Sequence, residues 1–589
     1  MNITIAAATL LLLTALPASA QKEQQKQPKE ELREELTVRY EEAPEIREYH
    51  RLSLNPELRL QPVSQSALQY SYRQIGVDPT RRIATMPPVA YADSIYSSPY
   101  RGYAALGFLP KFNVDASAGY KVFDTDHTRL NAFLQYNASV YSAGKKFYGD
   151  NAYYRRHTAT VGANLHQAVG KYSYIDLGLD YTFAHYNTPG YIDATSKYTA
   201  PEAPVFEPAL RNQNVNRFNV SGLWTLTHRG IHYGASIAYQ RFAYNSALGF
   251  AAEEPVSRPV EPLRQNRFDL GLYFFGKLYG ANSAGVNVAY SYLNSGHNWY
   301  PEGDGNQLAP IPQENPHVIC LHPYYRFDIR QFRLDLGINV DLRFKAGKVF
   351  SLAPHASATW LPSQLIKLYV KATGGTRLNS ASTLYDAAPY AAPFTAYRPS
   401  EVPVDIEAGF TFGQWRGLYA EVQLGYSYTT DWLMPVFCSG ELPGQTAFAP
   451  VDLKGYHVRL AAGYNWKGLV DAAVSVELAP SKRTLGYYQW RDRASRVITA
   501  EVTYKPLKQL DVNLGFEHRG DRKQYYLGLN RHPASLGAIS NLKLGGLYRI
   551  TERWSAFLQA ENLLNHKYVL IGAIPAQGLT GLIGATYKF

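Results

Sequence analysis

The residues best placed to do chemistry are charged side chains that alternate one for one with large aliphatic ones. Arg333, Asp335, Asn339, Asp341 and Arg343 interleave with Phe332, Leu334, Leu336, Ile338, Val340, Leu342 and Phe344. In an extended chain this puts every ionic group on one side and every apolar group on the other. Such a row, joined by Lys367 and Lys371 from the next segments, can contact a polar solute, or can pair with opposite charges on neighbouring strands and hold water. Covalent chemistry is not signalled. The sequence has no Gly-x-Ser-x-Gly, no His-Glu-x-x-His, no Cys-x-x-Cys and no phosphate-cradling glycine loop. The chain therefore reads as a non-enzyme with no catalytic residues, no cofactor and no metal. Glu302-Gly303-Asp304-Gly305-Asn306 lacks the ligand spacing of a calcium loop and reads as a polar turn. The loop aromatics His297, Trp299, Tyr300, Tyr385, Tyr390, Phe394 and Tyr397 could stack on sugars, anchor a surface lipoprotein lid or pack the loops together.

The elements that must carry the ionic row follow from its period of two. From about Arg101 onward the sequence breaks into alternating segments about twice as long as an ordinary soluble strand. Val470 to Leu478 and Tyr456 to Trp466 repeat the pattern, with Tyr and Trp at segment ends. A tilted strand of this length crosses about 25 to 30 Å of hydrocarbon, and the ionic face then lines a wet lumen. Tyr is in excess, 47 of 589 residues, as two interfacial girdles require. Beyond the first twenty residues no apolar run is long enough for a membrane helix. The net charge of +11 is scattered along the strands rather than gathered in a patch, so no nucleic-acid partner is expected.

Segmentation gives 22 strands, the first starting near Gly102 and the last near Gly578, joined alternately by tight turns and long loops. The expected fold is all-β, a single 22-stranded antiparallel transmembrane barrel over residues 101–589. The long loops include Leu378 to Val402 and Asp431 to Pro450. The apolar stretch Ile3 to Leu16 followed by Ala18-Ser19-Ala20 reads as a signal peptide over residues 1–20, with Ala18 and Ala20 at the cleavage site. A charged periplasmic leader, 21–60, and a Pro-punctuated stretch, 61–100, suited to the lumen, come next. The last strand ends in Tyr587-Lys588-Phe589, with Tyr587 and Phe589 as an assembly signal for outer-membrane insertion. Cys320 and Cys438 are too few and too far apart for a disulfide framework, and their pairing is left open.

Just before the last strand, Glu561-Asn562-Leu563-Leu564-Asn565-His566-Lys567-Tyr568 leads into Ile574-Pro575-Ala576-Gln577-Gly578. This resembles the C-terminal signature of TonB-dependent receptors, carried by Glu561, Asn562, Leu563, Asn565 and Tyr568, and the strand count is similar to that family's. The resemblance implies an outer-membrane receptor barrel involved in transport of a solute or macromolecule, surrounded by outer-membrane lipid and inserted by the assembly machinery. It stops at the N-terminus, where Gln21 to Tyr100 does not resemble the family's plug, so a reduced or missing plug is expected. Glu35-Leu36-Thr37-Val38-Arg39 belongs to the charged leader rather than to a coupling motif. Something must then fill a wide lumen: the 61–100 stretch, the long loops or a partner such as a surface lipoprotein or periplasmic protein. The alternatives in function are a structural or assembly subunit and a barrel-embedded enzyme.

Overall fold

The computed structural model describes residues 100–109, 113–142, 153–187, 212–245, 247–249, 257–259, 263–278, 281–296, 298–302, 307–311, 313–388, 397–437, 446–479, 488–489, 494–524, 534–568 and 576–589. The expected signal peptide with Ala18 and Ala20, the leader, residues 61–99, Gly303 to Asn306, His297, Tyr390, Phe394 and Cys438 lie outside the described residues.

Twenty-two strands form the wall: β1 Gly102–Leu109, β2 Asn113–Asp124, β3 Thr128–Ser142, β4 Tyr153–Val169, β5 Ser173–Asn187, β6 Asn212–His228, β7 Ile231–Asn245, β8 Leu263–Lys277, β9 Ser283–Ser295, β10 His317–Ile329 and β11 Phe332–Phe344. The second half comprises β12 Phe350–Ser363, β13 Ile366–Arg377, β14 Ser400–Trp415, β15 Leu418–Phe437, β16 Thr446–Trp466, β17 Val470–Leu478, β18 Arg496–Leu507, β19 Leu510–Gly520, β20 Ile539–Arg549, β21 Trp554–Glu561 and β22 Thr580–Lys588. Each pairs antiparallel with its sequence neighbours. β1 closes the ring on β22, with Tyr103 opposite Lys588 and Phe108 opposite Ile583. The Gly102 N–H donates to the Phe589 carbonyl at 2.9 Å and the Phe589 N–H donates back to the Gly102 carbonyl at 3.0 Å. Closure leaves no free edge, which is the condition for sheet in hydrocarbon.

The two ends of the barrel differ in their connections. All even-to-odd connections, from β2–β3 to β20–β21, hold at most five residues. Three of these turns place a basic residue and a glycine in the left-handed region in succession: Arg229 and Gly230 (φ 49° and 79°), Arg416 and Gly417 (53° and 91°), Lys467 and Gly468 (51° and 71°). This backbone is the primed turn whose twist matches that of the strands it joins. At Gly417 a Cβ would sit 2.0 Å from the Asn465 carbonyl oxygen, so no other residue fits there. The odd-to-even connections are long, with β11–β12 and β1–β2 as short exceptions.

Outward positions carry the large apolar residues. Leu106, Phe108, Val161, Leu177, Leu179, Leu272, Ile338, Leu352, Val370, Leu424 and Ile583 all stand exposed, each on the face opposite its strand's polar residues. A water-facing surface would not sustain a continuous apolar belt of this extent, whereas lipid requires it. No helix among the described residues is long and apolar enough to cross a membrane.

Two expected loops contain structure. Asp431 to Pro450 was expected as a loop, but β15 and β16 continue through it to Phe437 and from Thr446, reaching 20 and 21 residues. A bulge at Asp431 (φ 52°) shifts the register between Thr429 and Trp432 and so reverses the alternation. Leu378 to Val402 contains a helix, α1, Ala381–Ala387, whose cap Ser380 accepts a hydrogen bond from the Thr383 N–H.

Candidate functional site

The inner wall changes character from the turn end to the loop end. Near the turns it is ionic and partly exposed. Arg333 donates to Asp328 across β10–β11 at 2.7 Å, and both remain partly exposed. One step further in, Arg326 pairs with Asp335, whose other oxygen accepts from the Ser357 hydroxyl at 3.2 Å. Lys371 reaches Glu407 at 3.5 Å, and the Lys367 ammonium lies 5.2 Å from the Tyr369 ring centroid. Elsewhere around the ring Arg267 pairs with Asp269 on β8, His166 bonds Asp176 across β4–β5, and Asn219 on β6 donates to Asp180. Midway along the wall the His322 and His355 rings meet at 4.0 Å, and among the described residues no cluster of three metal-ligating side chains forms. Opposite charges on neighbouring strands thus pair along this part of the wall.

Asp341 and Arg343 depart from the expectation that they line the lumen. They lie on the inner face of β11 but are buried, at 1% and 4% exposed, and so line no wet wall. The cause is their position at the loop end. Asp341 accepts from the Thr376 N–H at 2.6 Å, Arg343 donates to Glu401 at 3.0 Å, and Asn339 reaches across β12 over the small Ala353 to donate to the Gly374 carbonyl at 2.7 Å. These bonds fix the end of β13 and the start of β14, which is the base of the segment bearing α1. The Asn379 amide completes the base by donating to the Arg398 carbonyl and the Ser400 hydroxyl.

From that base α1 reaches inward to β5–β9. Its Tyr385 ring sits among Tyr186, Phe242 and Tyr244, at centroid distances of 6.3, 5.6 and 6.1 Å. Asp386 pairs with Arg217 at 2.6 Å, and the Ala381 N–H donates to the Gln265 side-chain oxygen at 2.6 Å. Ala184, Val215, Leu263, Leu293, Ala381, Leu384 and Tyr397 belong to the same buried cluster, and so do Leu433 and Phe448 from the extended β15–β16 hairpin. β6 and β16 are ten strands apart in a ring of 22, so one apolar cluster links nearly opposite walls. A second cluster, of Met434, Val436, Ala449, Val451, Leu453 and Ala479, packs beside it. Of the loop aromatics, Tyr385 and Tyr397 are thus packing groups.

The C-terminal motif residues sit together where the ring closes. Asn562 (φ 51°) is 2% exposed. Its N–H donates to the Asn541 side chain, its amide donates to the His566 and Gln577 carbonyls, and its side-chain oxygen accepts from the His566 N–H. Asn565 (φ 47°) accepts from the Leu579 N–H, and the Leu563 N–H donates to the Leu542 carbonyl. The two asparagines tolerate the left-handed backbone that bulkier residues resist. Tyr568 is partly buried, and its desolvation, together with the nearby Glu561 and Glu517 carboxylates, pushes its phenol up to about 12. The motif therefore staples the last loop, and Asn113 and Gln577 bonding to Thr580 tie β2 to β22 over the eight-residue β1. Phe589 stacks on Tyr587 and Tyr120 at this seam. What the sequence reading missed, α1 and its docking partners Arg217, Gln265, Phe242 and Tyr244, gives no local signal, since these contacts join residues more than a hundred positions apart.

No family model matches the sequence, and no curated protein matches it. Among solved structures the chain is similar to the siderophore receptor PirA from Acinetobacter baumannii, at 11% identity and a TM-score of 0.63, over 83% of this chain and 80% of that one. It is also similar to the ferripyoverdine receptor FpvA of Pseudomonas aeruginosa, at 13% identity and a TM-score of 0.60, over 83% and 72%. A third is the ferric-catecholate import receptor Fiu from Escherichia coli K12, at 10% identity and a TM-score of 0.59, over 83% and 82%. Identities this low establish architecture alone: the chain shares with these receptors the fold of a closed, 22-stranded antiparallel barrel.

Proposed function

We propose that this chain carries a solute across the outer membrane as a TonB-dependent receptor does. The turn end then faces the periplasm and the loop end the outside. The observation that carries the reading is the inner wall: an uninterrupted ring of strands lined below the mouth by ion pairs and hydrogen-bonded polar side chains. A lumen of this kind keeps polar cargo solvated along its way, while a purely structural subunit has no need of it. Lys367, Lys371, Arg333 and Asp335 are the residues we assign to cargo contact. The similar structures are, by name, a siderophore receptor, a protein bound to pyoverdines and a ferric-catecholate import receptor, so ferric chelates are the first cargo class to test. Tyr587 and Phe589 serve the assembly machinery, and a periplasmic or surface partner meets the leader or the loops. The experiment compares uptake of labelled ferric chelates by cells with and without the chain, before and after the proton-motive force is collapsed. Uptake that needs both the chain and the proton-motive force supports the reading. A chain-independent uptake for every chelate and for graded polar solutes contradicts it.

A further inference from the structure

The charges of the turn end divide into two sets. On the inner face they are satisfied within the chain: Arg333 by Asp328, Arg326 by Asp335 and Arg549 by Asp511. In the turns themselves they are not. Lys171, Arg229, Arg330, Arg416, Lys467 and Lys508 are all exposed, and none has a carboxylate partner among the described residues. Only two connections at this end hold an acidic residue, Asp126 in β2–β3 and Glu552 in β20–β21, the latter beside Arg553. Four of the six cations also sit in the left-handed region, Arg229, Arg330, Arg416 and Lys467 at φ 49°, 50°, 53° and 51°. Glycine or asparagine adopts this backbone with less strain, so the positive charge stands there against the local preference of the turn.

A belt of tryptophan lies beside these cations. Trp224, Trp360, Trp415, Trp466 and Trp554 are exposed, and each stands on the outer face in the turn-side part of its strand. Trp360 stacks on Phe332, two residues from Arg330, with ring centroids 5.5 Å apart. The Arg416 guanidinium lies 5.2 Å from the Trp415 ring centroid, and so leans toward the lipid side rather than the lumen. Interfacial aromatic rings sit at headgroup depth. A strand advances about 3.3 Å per residue, so a cation one or two residues beyond such a ring stands at the level of the phosphates. We propose that the turn end binds anionic phospholipid headgroups, with the turn cations holding the phosphates and the tryptophan belt fixing their depth. With the turns toward the periplasm, these are lipids of the periplasm-side leaflet. The surface does not depend on what the barrel carries, so its failure leaves the transport reading untouched. An acidic periplasmic protein fits the surface less well. The cations are spread from β4–β5 to β18–β19, over both halves of the ring, whereas a protein that covers about 800 Å² meets one sector. An annulus of lipid meets them all.

The test uses the full chain reconstituted in phosphatidylcholine vesicles, with Trp299, Trp432 and Trp490 replaced by Phe so that all tryptophan emission comes from the belt. Brominated phosphatidylglycerol and brominated phosphatidylcholine are titrated separately, and quenching gives their relative affinities. In low salt phosphatidylglycerol is expected to bind roughly fivefold more tightly, the factor that one basic residue near an anionic headgroup supplies. The preference should fade in about 1 M salt, where charges are screened within about 3 Å. Arg229→Asn, Arg330→Asn, Arg416→Asn and Lys467→Asn, combined with Lys171→Gln and Lys508→Gln, should abolish it, and asparagine keeps the left-handed turns unstrained. Arg416→Asn with Lys467→Asn alone, in neighbouring turns, should lower it partway, which keeps the test open if the full variant does not insert. Lys277→Gln with Lys505→Gln removes charge at the same end from the inner face and should leave the ratio unchanged. Three results overturn the proposal. They are equal affinities in the parent, a preference that survives in the neutralised turns, or one lost as fully with Lys277 and Lys505 as with the turn cations. A parent without preference whose turns cross-link in cells to an acidic periplasmic protein would give the surface to that partner instead.

Discussion

Followed along one strand, the inner face of β7 runs from His232, stacked on Phe275 near the turns, through Gln240, hydrogen-bonded to Asn219, to Phe242 and Tyr244, buried around Tyr385. β11 does the same with charges: Arg333 is exposed and paired at the turn end, while Arg343, ten residues on, is buried against Glu401. The strand pattern at both ends is identical, so the alternation of side chains cannot distinguish them. What differs is whether a loop comes back to cover the wall. Below the mouth each polar group answers to water and to one neighbour. At the mouth the same register is desolvated by α1 and by the β15–β16 hairpin, and its groups turn to partners in the protein, although Asp341 Oδ1 and Arg343 Nε stay buried without one.

Breaking the apolar side of this contrast should have the largest effect. Phe242→Ala removes a ring 2% exposed and held on several sides, and should cost about 3 to 4 kcal/mol. The measurement is the denaturant midpoint of the barrel folded in detergent. A polar test at the loop end comes next. Asn562→Ala leaves the His566 and Gln577 carbonyls and the His566 N–H without their partner, at about 2 to 3 kcal/mol, read from the same transition. Third, Tyr568 keeps its proton to about pH 12 in the folded barrel but loses it near pH 10 when unfolded. The folded state binds the extra proton, so stability is complete below pH 10 and falls as pH rises toward 12, by about 2 kcal/mol. Tyr568→Phe should flatten that slope. The smallest effect belongs to the hydrated end, where Arg333→Ala removes a pair more than half exposed on the arginine side and should cost under about 0.5 kcal/mol.

The wall was legible in the sequence because a strand between lipid and water must alternate, and 22 segments could be counted on that rule alone. Boundaries at Thr446 and Phe437 were missed where the Asp431 bulge adds a residue and turns the pattern over. The motif from Glu561 to Tyr568 was legible as a family resemblance, but its physical role as a loop staple needs the Asn562 hydrogen bonds to be seen. α1 was not legible at all. Ala381-Ser382-Thr383-Leu384-Tyr385-Asp386-Ala387 has no strong helical pattern, and its stability comes from Arg217 and Gln265, 169 and 116 positions away from their partners. Nor could Asp341 and Arg343 be told from Arg333 and Asp335, since burial there is imposed by a segment from the next loop.

The contrast between the two ends can be measured on a single strand. Nitroxide spin labels placed singly from position 332 to 344 in the barrel reconstituted in lipid report contact with oxygen, which concentrates in hydrocarbon, and with a water-soluble nickel chelate. The account expects oxygen contact at Leu334, Leu336, Ile338 and Val340. It expects nickel contact at Arg333 and Asp335, and neither at Asp341 and Arg343. Equal nickel access at 333, 335, 341 and 343, or no alternation between odd and even positions, would contradict a lipid-embedded barrel with a wet lumen and a covered mouth.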